Sequence, residues 1–141
     1  MMNRLFGPFL GGRAAIGLLV VRLVAGAALM MHGWGKIQDP FHWLDKAPSP
    51  PPGVFQALAA LSEFGGGLGL ILGLLTPLCA LGIASTMLVA MYTHVSKGDP
   101  FVSHGGGSYE PALGYFSLMV LMLTAGPGTL SADARLSGRR S

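Results

Sequence analysis

Residues 54–75 read VFQALAALSEFGGGLGLILGLL, twenty-two positions with one ionisable side chain, Glu63. At about 1.5 Å per residue this run makes a helix of about 33 Å, enough to cross the hydrocarbon core of a bilayer. Three further stretches share its character, at 16–34, 77–95 and 109–126, and each holds an ionisable residue within it or at its edge: Arg22, His94 and Glu110. Between them lie helix-breaking segments. Pro40, Pro48 and the run Pro50-Pro51-Pro52 punctuate a loop over 35–53; Asp99-Pro100 and Gly105-Gly106-Gly107 punctuate another over 96–108. Leu75-Thr76-Pro77 leaves room only for a tight hairpin, and Gly126-Pro127-Gly128 stops the last stretch. The chain therefore reads as all-α, an integral membrane antiparallel four-helix bundle forming one transmembrane domain over residues 1–141.

Composition agrees with that reading. Of 141 residues 11% are charged, against roughly 25% in soluble domains, and mean hydropathy is +0.57. The 22 glycines follow no collagen-like period and concentrate in the apolar stretches, where small residues let helices approach closely. The formal charge is +3, but the basic residues stand singly or at the two ends without interleaved aromatics, which argues against nucleic acid as a partner. Cys79 is the single cysteine, so an intrachain disulfide, a Cys-x-x-Cys redox pair and a cysteine zinc site are excluded. Residues 1–21 have the basic start of a signal peptide, with Ala25-Gly26-Ala27 as a cleavage site, yet Arg22 interrupts the apolar core; the first stretch is expected to stay as a helix.

Arg4, Arg13, Arg135, Arg139 and Arg140 lie outside the first and last stretches, against Lys36, Lys46 and Lys97 in the two long loops. The excess places the tails in the cytoplasm and the loops outside. Counted by depth, His32, Lys36, His94, Tyr109 and Glu110 then form an outer polar layer, with Glu63 about one turn deeper and Arg22 deeper still. Arg22, Gly26, Leu29, Gly33 and Lys36 share one helical stripe, as do Glu110, Gly114, Ser117, Leu121 and Thr124, and both are expected to face inward. Gly65, Gly69 and Gly73 make a packing ridge on another side from Glu63.

An isolated charge at mid-bilayer costs at least about 2.5 to 3.5 kcal/mol on insertion scales, so Arg22 and Glu63 need partners. Three readings stand: an Arg22–Glu63 ion pair fixing helix register, a ligand or proton-transfer role, or an Arg22 that snorkels along the lipid face. His32 and His94 can be interfacial residues bonded to loop carbonyls or ligand contacts. Two imidazoles and two carboxylates could serve a haem or a metal, but no two of them share a helix at the spacing of di-iron bundles, which speaks against both. His42 and His104 stand in loops without a constellation. Trp34, Trp43 and Tyr109 read first as interfacial anchors.

The ordered set Arg22-x-x-x-Gly26, His32-Gly33-x-x-Lys36, Glu63-x-Gly65-Gly66, Gly73-Leu74-Leu75-Thr76, His94, Tyr109-Glu110, Gly126-Pro127-Gly128 and Ser131-x-Asp133 resembles the DoxX family of small four-helix bacterial membrane proteins. The resemblance implies a quinone-linked subunit of a membrane oxidoreductase in the bacterial cytoplasmic membrane, or, by analogy with distant relatives, a non-catalytic accessory or assembly subunit of a larger complex. It implies a quinone or quinol site in a polar cavity open to the outer leaflet. Arg22, His32, Lys36 and Tyr109 would hold the ring and its electrostatics; Glu63, His94 and Glu110 would exchange protons or touch the quinone oxygens. The implied partners are the lipid bilayer and other membrane subunits. A transporter is disfavoured, because broken helices and clear inverted repeats are missing from the sequence.

Overall fold

A computed structural model describes residues 9–138, and every described regular element is helical. Helix α1 spans Gly12–Gln38, α2 Gly53–Leu72, α3 Thr76–Ser96, α4 Glu110–Ala125 and a short α5 Ala132–Leu136. The first three are long and apolar enough to cross a membrane; α4, at 16 residues, is apolar but shorter. Helix α1 runs four residues beyond the apolar stretch, so Lys36 stands on the helix and not in the loop after it.

Local chemistry sets the ends. Pro51-Pro52 delivers an extended chain to the start of α2, and Gly73 ends it in the left-handed region at φ +63°, with Leu74 N–H donating to the Gly69 carbonyl at 2.9 Å. Leu75, one residue short of α3, is also left-handed at φ 50°, a conformation that strains a residue with a branched side chain. Ser131 caps α5, its hydroxyl oxygen accepting from Ala134 N–H at 3.1 Å.

Helices α1 and α2 pack most closely, through absent side chains. A Cβ built on Gly26 would lie 2.6 Å from the Gly67 carbonyl oxygen, one on Gly67 2.7 Å from that of Gly26, and one on Gly33 2.7 Å from the Phe64 amide nitrogen. Helix α2 turns Gly66 and Gly69 to Ile83 and Cys79 of α3, and α3 packs on α4. Helices α1 and α4 barely touch. The core between them is Leu29, Leu70, Ala80, Ile83, Met87, Met119 and Met122. Val24, Met31, Val54, Leu78 and Val89 cover the outside, an apolar exterior that needs lipid around it.

Two expected faces come out differently. Gly65 meets only Leu61 of its own helix, so the ridge at 65, 69 and 73 does not act as one surface; the contact with α1 falls on Gly67, four residues after Glu63 on the same side. In α4 the stripe Glu110, Gly114, Ser117, Leu121 and Thr124 faces outward, while Ala112, Met119 and Met122 are buried. The hydroxyls tolerate that side because each bonds its own helix: Ser117 donates to the Leu113 carbonyl and Thr124 to that of Val120, both at 2.9 Å.

Candidate functional site

The buried ionisable residues, Arg22, Glu63 and Asp133, fall in two clusters. The first lies where α2 turns into α3. Arg22 is 1% exposed and spends its guanidinium on backbone: Nε donates to the Leu70 carbonyl at 2.9 Å, Nη2 to that of Ile71 at 3.3 Å, and Nη1 to those of Pro127 and Leu130 at 2.7 and 3.0 Å. It therefore satisfies the carbonyls that the end of α2 leaves without helical partners. Asp133, fully buried, does the converse for α3: its carboxylate accepts from Leu75 and Thr76 N–H, each at 2.9 Å, and its own N–H donates to the Gly73 carbonyl at 2.8 Å. Gly73 sits between them, and a Cβ there would come within 2.8 Å of Arg22 Cζ and 2.6 Å of Ser131 Cβ. One cation and one anion thus bind the first helix, the hairpin and the segment after α4 into one knot.

The second cluster lies at the opposite end of α1. Lys36 Nζ bonds Glu63 Oε2 at 2.6 Å, with the lysine side chain 26% and the glutamate 5% exposed. The ammonium also stands 4.6 Å from the centre of the Trp43 ring, a cation–π contact. Trp43 is held by its indole N–H, which donates to the Gln56 carbonyl at 3.0 Å. Gln56, 1% exposed, ties down the whole loop: its Oε1 accepts from Leu44 N–H at 2.8 Å, and Nε2 donates to Asp45 Oδ1 at 2.8 Å and to the Pro51 carbonyl at 3.0 Å. One helical turn before Lys36, His32 shares a hydrogen bond of 2.8 Å between Nδ1 and the Ala28 carbonyl and meets the Tyr115 ring of α4 edge-on at 6.0 Å.

An Arg22–Glu63 ion pair is therefore not formed. Both residues are buried in the seam between α1 and α2, but Glu63 stands level with Gly33 and takes Lys36, whereas Arg22 stands level with Leu70, about three turns away along α1, and takes carbonyls. Nor does Arg22 snorkel along the lipid face.

The sequence pattern of the DoxX family matches residues 17–96, more than half of the chain. The chain belongs to the DoxX family. It is 32% identical over 124 residues to the inner membrane protein YqjF of Escherichia coli K12, an alignment covering 86% of this chain and 93% of that protein. No solved structure matches it. Family, relative and the three spanning helices together make it a multi-pass protein of the bacterial inner membrane.

The matched DoxX segment contains Arg22, His32, Lys36, Glu63 and His94, and the structure brings only the middle three near one another. His94, at the end of α3, pairs through Nδ1 with Asp99 Oδ2 at 2.7 Å, and that carboxylate is packed where a Cβ on Gly107 would come within 2.5 Å of it. Tyr109 stacks at a tilt on Phe101, 5.3 Å between centroids, and Glu110 is exposed at the start of α4. His42, in the loop, has its pKa raised by its hydrogen bond to Asp39 and by the charge there.

Sequence reasoning missed Gln56 and Asp133 as organising residues, and took Trp43 for a membrane anchor. A signal existed for each: an amide in the first turn of an apolar helix beside a proline loop must find partners, and Ser131-x-Asp133 is a cap motif. Chemically, the second cluster offers a charged donor, a carboxylate and an imidazole within about one helical turn, set under an aromatic roof.

Proposed function

We propose that this DoxX-family protein crosses the inner membrane as an antiparallel four-helix bundle, α1 to α4, with its tails in the cytoplasm, and serves as a quinone- or quinol-interacting subunit of a membrane oxidoreductase. The observation that carries the reading is the Lys36–Glu63 pair under Trp43, with His32 one turn away and Tyr115 supplied by α4. The lysine keeps a quarter of its side chain open, which leaves its ammonium within reach of a ligand. Donors, acceptors and aromatic faces gathered at one end of an apolar bundle suit a ring with polar oxygens and a lipid-soluble body.

A bound quinone would supply a two-electron, two-proton couple. On the protein side, Lys36 would orient a ring oxygen, Glu63 and His32 would hold or pass its proton, and Trp43 and Tyr115 would exclude water. Arg22 drops out of the site, since its donors are spent on carbonyls. His94 and Glu110 belong to the same end of the bundle and in this reading take protons to the outer surface. Tyr109 packs on Phe101 beside them.

The test is ligand-dependent stability. A ligand that binds only the folded protein raises its thermal midpoint by mass action, about 2.7 kcal/mol at a hundredfold excess over Kd. Short-chain quinones or quinols should raise the midpoint of purified protein, Lys36→Met should lose the shift, His32→Phe should reduce it, and Arg135→Gln, at the other end, should keep it. A folded protein that no quinone or quinol stabilises would remove the redox reading and leave the accessory-subunit one.

A further inference from the structure

We infer that the site, if it is a quinone site as proposed above, is built for the reduced, hydroquinone form of its ligand. The argument is an inventory of what the cluster has left to offer. The Ala28 carbonyl can only accept, so His32 Nδ1 carries the hydrogen of that bond, and Nε2 of the neutral ring is an acceptor. Glu63 uses Oε2 for Lys36, and Oε1 is a second acceptor. Neither atom has a hydrogen-bond partner among the described residues; His32 is exposed, and Glu63 Oε1 is not sealed, since the buried side-chain polar atom left unpaired among the described residues is Thr76 Oγ1, at the far knot. On the donor side Lys36 gives one N–H to Glu63 and lays its charge on the Trp43 face, which leaves about one N–H for a ligand. The Tyr115 hydroxyl can serve either way.

The two oxidation states of a quinone differ in this property. A quinone carbonyl oxygen only accepts, whereas a hydroquinone hydroxyl both donates and accepts. Against two acceptors and one donor the oxidised ring can use Lys36 and faces unpaired lone pairs at Glu63 and His32. The reduced ring can use all three. Acceptors that a bound ring covers and leaves without donors lose their water with nothing in exchange, so discrimination falls on the oxidised form.

The experiment compares three short-chain ligands of the same carbon skeleton, under anaerobic conditions, by titration of the purified full-length protein: a benzohydroquinone, its benzoquinone, and the hydroquinone dimethyl ether, which keeps the shape and removes both donors. The hydroquinone should bind about tenfold more tightly than either of the others, the equivalent of one net hydrogen bond to a charged or imidazole acceptor. His32→Phe, at an exposed position, should cut that ratio about severalfold. Glu63→Gln exchanges an acceptor for a donor and should move the preference toward the quinone. Equal or tighter binding of the quinone to wild-type protein, or a ratio indifferent to both substitutions, would overturn the inference while leaving a quinone site in place. Binding of none of the three would overturn the site itself.

Discussion

Replacing Asp133 with alanine would strip two amides at once. Leu75 and Thr76 N–H each lose a carboxylate acceptor at 2.9 Å in a place where Thr76 is fully buried. Hydrogen bonds to charged groups contribute about 1.5 to 3 kcal/mol each, and the loss of two that share one acceptor is less than additive, so the expected destabilisation is about 3 to 5 kcal/mol. For a chain of this size that corresponds to a fall of about 10 °C in thermal midpoint. Asp133→Asn keeps one acceptor oxygen and should lose about half as much. The left-handed Leu75 supplies an internal check: with its anchor gone it is free to relax, and Leu75→Gly in the Asp133→Ala background should recover about 1 kcal/mol by removing the strain of that φ. The assay is thermal unfolding in detergent followed by circular dichroism, with native-size chromatography to confirm that each variant is folded at the start. A midpoint within about 2 °C of wild type for Asp133→Ala would refute the capping role, because the loss of two charge-assisted hydrogen bonds, one of them buried, gives a larger change.

In double-mutant cycles, Lys36→Met should cost about 3 kcal/mol by leaving Glu63 buried without its partner, and adding Glu63→Leu should restore part of it; Arg22→Leu and Glu63→Gln should add without coupling. Coupling in the second pair and not the first would reverse the assignment of partners. The His42 imidazole should titrate above its ordinary value by NMR and return toward it in Asp39→Asn; since the raised pKa belongs to the folded state, whatever stability the pair lends is present at acid pH and fades as pH rises through that value. Cysteine placed at Ser49 should react with an impermeant maleimide in spheroplasts while cysteine at Ser137 should not, and the opposite pattern would invert the topology.

Much of the fold could be read from the chain because its determinants are local. Apolar runs of bilayer length, separated by prolines and glycine triplets, mark α1 to α4 to within a few residues, and the stripe through Gly26, Leu29 and Gly33 identifies the face that α1 presents to α2. What failed for Arg22 was the alignment of one helix against the next. Counting gives the depth of a residue within its own helix, but how far two helices slide past each other depends on contacts distant in sequence, so Arg22 was matched with a carboxylate that stands level with Gly33 when its acceptors are carbonyls at 70, 71, 127 and 130. The α4 stripe failed in azimuth: a serine or threonine in a helix can return its hydroxyl to its own backbone, so its polarity does not report which way it points. Lys36 and Glu63 were each singled out, and their union was not, because their separation of 27 residues passes through a loop whose path is set by Gln56.

The knot around Arg22 also has a history in time. Helix α1 leaves the ribosome before α2, yet the four carbonyls that receive its guanidinium belong to residues made about fifty and more than a hundred positions later. Until then the first helix carries an uncompensated cation in a setting where such a charge costs several kcal/mol. Its early resting place must therefore keep Arg22 in contact with water or lipid headgroups, shifted or tilted from the final position. Synthesis of the segment at 127–133 ends that waiting, since it brings both the last acceptors for Arg22 and the carboxylate that closes the hairpin. Helix assembly in this protein is thus timed by its own chain: α1 gains half of its acceptors with α2 and the other half only when the segment at 127–130 is made.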